Sequence, residues 1–250
     1  MTAAIEFTGV RYSYPDGTEA LTGVSLRVAE GERVALLGPN GAGKTSLLLA
    51  LMGLVEPDGG EVVVAGVAVT PETARDARRH IGLVFQDPDD QLFMTKVWDD
   101  VAFGPANYGF RGAELDARVR SALDAVGMWH HHDRAPHHLS LGERRRVALA
   151  TVLAMEPEIL ALDEPSSNLD PLARAEFAET LVALDRTILM VTHDLAYARD
   201  ICERAVIIDA GRIVADGPMA RILDDRDLLI RHRLEAPAGR TSARRGGAPG

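Results

Sequence analysis

Gly38-Pro39-Asn40-Gly41-Ala42-Gly43-Lys44-Thr45 fits the pattern G-x-x-x-x-G-K-[ST] without a gap. The order has a physical reason. Glycines let the backbone curl close around phosphate oxygens, so that successive N–H groups point inward as an anion nest. A helix starting at the same place adds the positive end of its dipole. A lysine at 44 can reach the β- and γ-phosphates of a nucleotide, and the Thr45 hydroxyl suits Mg2+. A chance match in a flexible loop would lack the right flanks. Here Val34-Ala35-Leu36-Leu37 comes first, a continuous apolar run typical of a strand buried on both faces. Leu47, Leu48, Leu51 and Leu54 follow at helical spacing until Glu56-Pro57-Asp58-Gly59-Gly60 stops them. The stretch reads as strand, phosphate loop, helix.

Working outward, Ile5, Phe7, Val10, Tyr12 and Tyr14 form a β-prone stretch ended by the turn Pro15-Asp16-Gly17. Val24, Leu26 and Val28 alternate with polar residues as in a half-buried strand. Strand signals return in Glu61 to Val69 and Ile81 to Phe85. From about Asp87 to Met155 the pattern turns helical, with Leu115, Val119, Ala122, Leu123 and Val126 on one face, and Val147, Leu149, Val152 and Leu153 on another. Strands resume at Ile159–Leu162, Thr187–Val191 and Ala205–Ile208. A helix around Leu172 to Leu184 separates the first two, the βαβ rhythm of a parallel sheet. A helical insertion therefore interrupts an α/β domain. Ile159-Leu160-Ala161-Leu162-Asp163-Glu164 puts two carboxylates at the C-terminal edge of a buried strand, where such sheets bind ligands. Asp163 suits Mg2+ and Glu164 suits polarising an attacking water.

Composition narrows the function classes. The chain has 250 residues, 46% hydrophobic and 26% charged, ordinary for a globular protein with a core of its own. A net charge of −10 speaks against nucleic acid and against adsorption on anionic lipid. No run approaches the roughly 20 apolar residues of a spanning helix; Val147 to Met155 is the longest comparable one. The start MTAAIEFTGV lacks the basic flank and apolar stretch of a secretory signal. Cys202 is the sole cysteine, expected as a small buried hydrophobe in a reducing cytosol. Work at a membrane would thus need other chains.

With both nucleotide motifs in place, the chain resembles the ATP-binding cassette ATPases from about residue 5 to 225. Leu139-Ser140-Leu141-Gly142-Glu143 looks like the family signature, Ser167-Asn168-Leu169-Asp170 like its D-loop, and His193 in Val191-Thr192-His193-Asp194 like its switch histidine. Gln86 matches the Q-loop glutamine near Mg2+ and water, and Tyr14 the aromatic that stacks on adenine. The resemblance implies an α/β, RecA-like P-loop NTPase core with a parallel sheet. To this it adds an N-terminal antiparallel β region and an inserted helical subdomain. One domain would cover 1–235, its core at about 1–86 and 156–225 and its insertion at about 87–155. It also implies ATP and Mg2+ as ligands. Nucleotide contacts would come from Tyr14, Gly38, Pro39, Asn40, Gly41, Ala42, Gly43, Lys44, Thr45 and Ser46. Ser140 and Gly142 of a second, identical or paralogous, subunit would complete them. Thr45, Gln86 and Asp163 would serve the metal, and Glu164, His193 and Gln86 the hydrolysis. One departure is Leu141, where the family usually has its first glycine; slower or altered turnover is expected from it.

Phe85-Gln86-Asp87-Pro88-Asp89-Asp90-Gln91-Leu92-Phe93, then Asp100-Val101-Ala102-Phe103-Gly104-Pro105, is similar to the cobalt-type ATPase of energy-coupling-factor importers. That likeness implies a peripheral protein on the cytoplasmic face of the membrane. Its partners would be a transmembrane coupling subunit, docked on a groove containing Phe93 and Phe103, and a substrate-binding membrane subunit. The cargo would be cobalt, nickel or a vitamin. An exporter ATPase and a soluble or regulatory cassette are the alternatives. His130-His131-His132 with His137 and His138 tempts a metal reading, but adjacent side chains diverge, and a solvated loop is expected. Residues 236–250, with three arginines and no acid, read as a disordered tail.

Overall fold

The computed structural model describes residues 2–236. In the apolar run before the phosphate loop, Val34 and Leu36 pack into one core and Ala35 and Leu37 into another. Successive strand residues point to opposite faces, so a sheet covered on both sides needs apolar residues at every position. The same division recurs downstream. Ile188 and Met190 join Ala35 in its core, while Leu189 and Val191 join Val34 in the other. Each buried Val, Leu, Ile or Met among them stabilises the fold by about 1.5–3 kcal/mol.

In chain order, β1 (Ala3–Ser13) and β2 (Glu19–Ala29) pair antiparallel. The apolar run is β3 (Arg33–Leu37), and the loop after it leads into α1 (Lys44–Leu51). The signals from Glu61 to Val69 fall on a hairpin, β4 (Gly59–Val64) and β5 (Val67–Ala68), rather than on one strand. Its turn residues Ala65 and Gly66 have φ of 48° and 80°, as a two-residue type I′ turn demands. After α2 (Ala74–Ala77) and β6 (Ile81–Val84) come α3 (Val97–Asn107), α4 (Gly112–Ala125) and α5 (Leu141–Leu153). Then β7 (Ile159–Asp163), α6 (Pro171–Ala183), β8 (Thr187–Thr192), α7 (Leu195–Ile201) and β9 (Arg204–Asp209) alternate. β10 (Arg212–Pro218), α8 (Met219–Asp224) and α9 (Arg226–Arg231) follow.

Six strands form one sheet in the order β10-β9-β3-β8-β7-β6, parallel except for β10. Four form an antiparallel sheet in the order β2-β1-β4-β5. The architecture is the expected α/β one. The core shared by the two sheets takes in α1, and the other takes in α3 to α7. β3, β7 and β8 therefore end on one edge of the parallel sheet, the edge where loops collect ligands. Cys202 is buried, and burial pushes its thiol up to about 12. Apart from Ala236 itself, the tail expected to lack fixed structure lies outside the described residues.

Candidate functional site

At the end of β3 the chain turns where side chains do not fit. A Cβ on Gly38 would lie 2.3 Å from the Ile208 carbonyl oxygen. Gly43 has φ of 105°, and its Cβ would sit 2.6 Å from the Ala20 oxygen. Only glycine serves at either position. Lys44 opens α1, and its Nζ donates to the carbonyls of Gly38 (2.6 Å) and Pro39 (3.0 Å). Burial lowers its pKa, against the opposing pull of Glu164 and Asp163. The Tyr14 hydroxyl meets Ser46 Oγ at 2.9 Å, which stands the exposed tyrosine ring beside the start of α1.

These residues line a cleft of about 380 Å³ that Tyr14, Asn40 to Ser46, Gln86, Asp163 and Glu164 share. Gly38 and Pro39 do not line it; they hold Lys44. Two acids nearly 120 residues beyond the loop thus arrive beside it, because β7 is separated from β3 only by β8. Asp163 ends β7, and burial raises its pKa, with Glu164 adding to the rise and Lys44 opposing it. Its carboxylate takes no hydrogen bond from any described residue, while Thr45 is exposed in the same cleft. A partly buried carboxylate with free lone pairs beside a hydroxyl is a fitting oxygen set for Mg2+. Because folding raises this pKa above about 3.9, ionised Asp163 weakens the fold at any pH above its folded pKa. That penalty vanishes below the unfolded value. Asp163→Asn should therefore melt higher than the parent at pH 8, with the gain shrinking towards pH 4, as a pH series of thermal melts will read.

Glu164 is buried and held in the left-handed region, φ 44°. Its N–H donates to the Val191 oxygen (2.8 Å). Its Oε2 accepts from Thr192 Oγ1 (3.0 Å) and the His193 N–H (3.3 Å), and its Oε1 meets His193 Nδ1 at 2.8 Å. The end of β8 thus grips the carboxylate from two sides. The His193 ring itself is 64% exposed and does not line the cleft; it reaches the site through Glu164.

Ser140 and Gly142 do not line this cleft. Ser140 caps α5: its Oγ accepts from the Glu143 N–H, and its own N–H donates to Glu143 Oε2 at 2.7 Å, a reciprocal capping box. Burial raises the Glu143 pKa, but the Ser140 N–H and hydroxyl, with His131, outweigh it and hold the carboxyl below its usual range. The backbone at Leu141 does not require the glycine usual there. Leu141 opens α5 in ordinary helical geometry and is not among the residues of positive φ. Gly142 is the constrained position, since a Cβ there would come within 2.8 Å of Ala173 Cβ on α6. The histidine run is more ordered than the solvated loop expected. Trp129–His131 and Pro136–His138 form short helical turns, and His131 Nε2 reaches Glu143 Oε1 at 3.2 Å. Among the described residues, no group of three or more His, Cys, Asp or Glu is arranged to hold a metal ion.

Two residues of the Phe85–Pro105 stretch that were given no role of their own organise the segment around Gln86. Gln91 Nε2 donates to the Ala148 carbonyl (2.8 Å) and to Thr151 Oγ1 (2.7 Å), tying the segment to α5. Asp100, 3% exposed, accepts from the N–H groups of Phe93 and Met94 at 2.9 and 3.0 Å. This pins Phe93, 62% exposed, edge-on to Phe103 with centroids 5.0 Å apart. The sequence holds both residues in the stretch with the importer resemblance, but nothing in it separates buried Asp100 from its neighbour Asp99. A second crevice, between α4, α5 and the loop after α6, holds an ion pair, Arg118 Nη1 lying 2.8 Å from Glu156 Oε2.

No helix among the described residues is long and apolar enough to cross a membrane. Comparison with known proteins agrees with the geometry. A family model for ABC transporters matches residues 21–167. A Streptomyces coelicolor protein grouped with the ABC transporter ATP-binding proteins is 60% identical over 95% of this chain and 91% of its own length. The energy-coupling factor transporter ATP-binding protein EcfA of Carboxydothermus hydrogenoformans is 46% identical, over 95% of this chain and 88% of its own. The solved structure of CbiO1 from Clostridium perfringens, part of the ABC transporter complex CbiONQ, superposes with a TM-score of 0.84 at 35% identity. It covers 92% of this chain and 94% of that one.

Proposed function

Because this chain belongs to the ABC transporter ATPases, of the energy-coupling-factor type, which hydrolyse ATP to drive transport, we propose that it powers an importer. The cargo in this reading is a trace metal ion, cobalt or nickel, or a vitamin, carried through membrane partner subunits. The observation that supports the engine is the convergence of Lys44, Thr45, Gln86, Asp163 and Glu164 on one cleft.

In this mechanism Lys44 and the N–H groups of the loop bind the phosphates of ATP, and Tyr14 packs on adenine. Thr45, Asp163 and Gln86 would hold Mg2+, which would supply positive charge to neutralise the phosphates. Glu164 orients the attacking water and takes its proton, while the Thr192 hydroxyl and His193 keep the carboxylate aimed. His193 Nδ1 faces Glu164, so its second nitrogen is the one that senses the γ-phosphate. Ser140 and the Gly142 N–H stand at an exposed helix N-terminus outside the cleft of their own chain. They complete the phosphate shell on a second copy or a paralogue. ATP then bridges the dimer and hydrolysis releases it.

Phe93 and Phe103 are exposed large aromatics packed edge to face, Phe103 on α3 and Phe93 just before it, and this patch docks the transmembrane coupling subunit. The protein accordingly works on the cytoplasmic face of the membrane, as a peripheral subunit beside a substrate-binding membrane subunit, and takes no nucleic acid. The test is to co-purify the chain with its membrane subunits and reconstitute the complex in vesicles. ATP-dependent uptake of Co2+, Ni2+ or a vitamin is the expected result. A chain that stays monomeric with ATP at every concentration, even beside those subunits, would sink the reading.

A further inference from the structure

Arg145 is 1% exposed, the largest of the fully buried side chains among the described residues, and no step above uses it. It lies on the second turn of α5, five residues after the Ser140 cap. Nη1 donates to the Glu164 carbonyl at 3.1 Å and Nη2 to the Ser167 carbonyl at 3.0 Å, while Nε has no partner. No described carboxylate is within ion-pair range; Tyr197 and Asp87 act on it only at a distance. A buried guanidinium held by two neutral carbonyls is a costly way to fill space, and an apolar side chain of the same reach would fill it without that penalty. Packing alone does not account for this residue.

What it grips does. A non-glycine residue keeps a left-handed φ only where its surroundings impose it, and Glu164 is such a residue. Its other anchors are local: Val191, Thr192 and His193 at the end of β8, and the Ser167 N–H, which reaches the same carbonyl at 3.1 Å. Arg145 alone among these comes from α5, the helix that Ser140 caps.

We propose that Arg145 is a positioning residue that ties the Ser140–Gly142 end of α5 to the Glu164 peptide of the same subunit. Docking of α5 on the second copy's nucleotide is thereby passed to the base of its own site. The two sites of the dimer then fire in concert instead of independently. The inference rests on Glu164 being the base.

The experiment uses the full-length dimer and compares Arg145→Met, Arg145→Lys and Glu164→Gln with the parent. It reads kcat, KM for ATP, the Hill coefficient of hydrolysis and Tm. A carboxylate misplaced by about 1 Å can cost ~10²-fold in rate. Arg145→Met should lose about 10- to 100-fold in kcat with KM within about 2-fold, a pattern of loss confined to the transition state. Its Hill coefficient should fall to about 1 while Tm holds or rises. Arg145→Lys, which keeps the charge but can serve one carbonyl at a time, should fall between, and it decides the matter if the Met variant does not fold. Parental kcat and cooperativity in either folded variant overturns the proposal, as does a parallel loss of kcat, ATP affinity and Tm. An active Glu164→Gln would instead overturn the base assignment, so the two failures are distinguishable.

Discussion

Glu164→Gln should bind ATP like the parent yet hydrolyse it about 10²- to 10⁴-fold more slowly, the span expected for loss of a general base. The substitution keeps the shape of the side chain. Its amide oxygen can still accept from Thr192 Oγ1 and the His193 N–H, and its NH2 can donate to His193 Nδ1. The grip on the side chain therefore survives and proton acceptance alone is removed. ATP, held but not split, should trap the bridged dimer, so sedimentation with ATP and Mg2+ should find dimers that the parent shows only transiently. Phosphate release at the parental rate would remove Glu164 from the mechanism.

Lys44→Met should cut kcat/KM for ATP by about 10²- to 10³-fold, the cost of deleting one preorganised donor to a developing phosphate charge. Here the stability change goes the other way. Burial lowers the Lys44 pKa despite the attraction of Glu164 and Asp163, so the charged lysine weakens the fold at any pH below its folded pKa. That cost fades as pH rises through the folded value and is gone above the unfolded value of about 10.4. The variant should thus melt above the parent at pH 7 and lose this advantage in strong alkali. A variant with normal ATP turnover, or one melting well below the parent at pH 7, contradicts this account. Taken with Asp163→Asn, it describes a cleft whose ionised groups are kept at the expense of stability.

The parts legible in the sequence were those whose determinants are neighbours along the chain. The loop from Gly38 to Thr45 and the acids closing β7 announce themselves because a phosphate nest and a strand end are each built from contiguous residues. Elements with uninterrupted apolar runs, such as β3 and β8, could be read because both of their faces are covered. Tertiary demands stayed hidden. Nothing near Gly142 in the sequence says that Ala173 will crowd it, and Gln91 finds Ala148 and Thr151 only after folding. Nothing in the run Arg144-Arg145-Arg146 singles out the middle residue, yet it is the one buried while Arg144 and Arg146 stay partly exposed. Leu141 takes ordinary helical geometry, so no positive φ calls for the glycine usual at that position.

Strand β3 pairs with β8 and β9 and with nothing nearer in the chain. A ribosome making this protein therefore releases the segment just before the phosphate loop long before either neighbour exists. Until synthesis has passed residue 209, Val34 to Leu37 is an apolar ribbon without a full set of partners, a state that invites pairing with other chains. Late closure of this kind also predicts slow folding, because the contacts that stabilise the strand span some 150 residues. Nascent fragments stopped before β8 should need chaperones to stay soluble, whereas those carried through β9 should not.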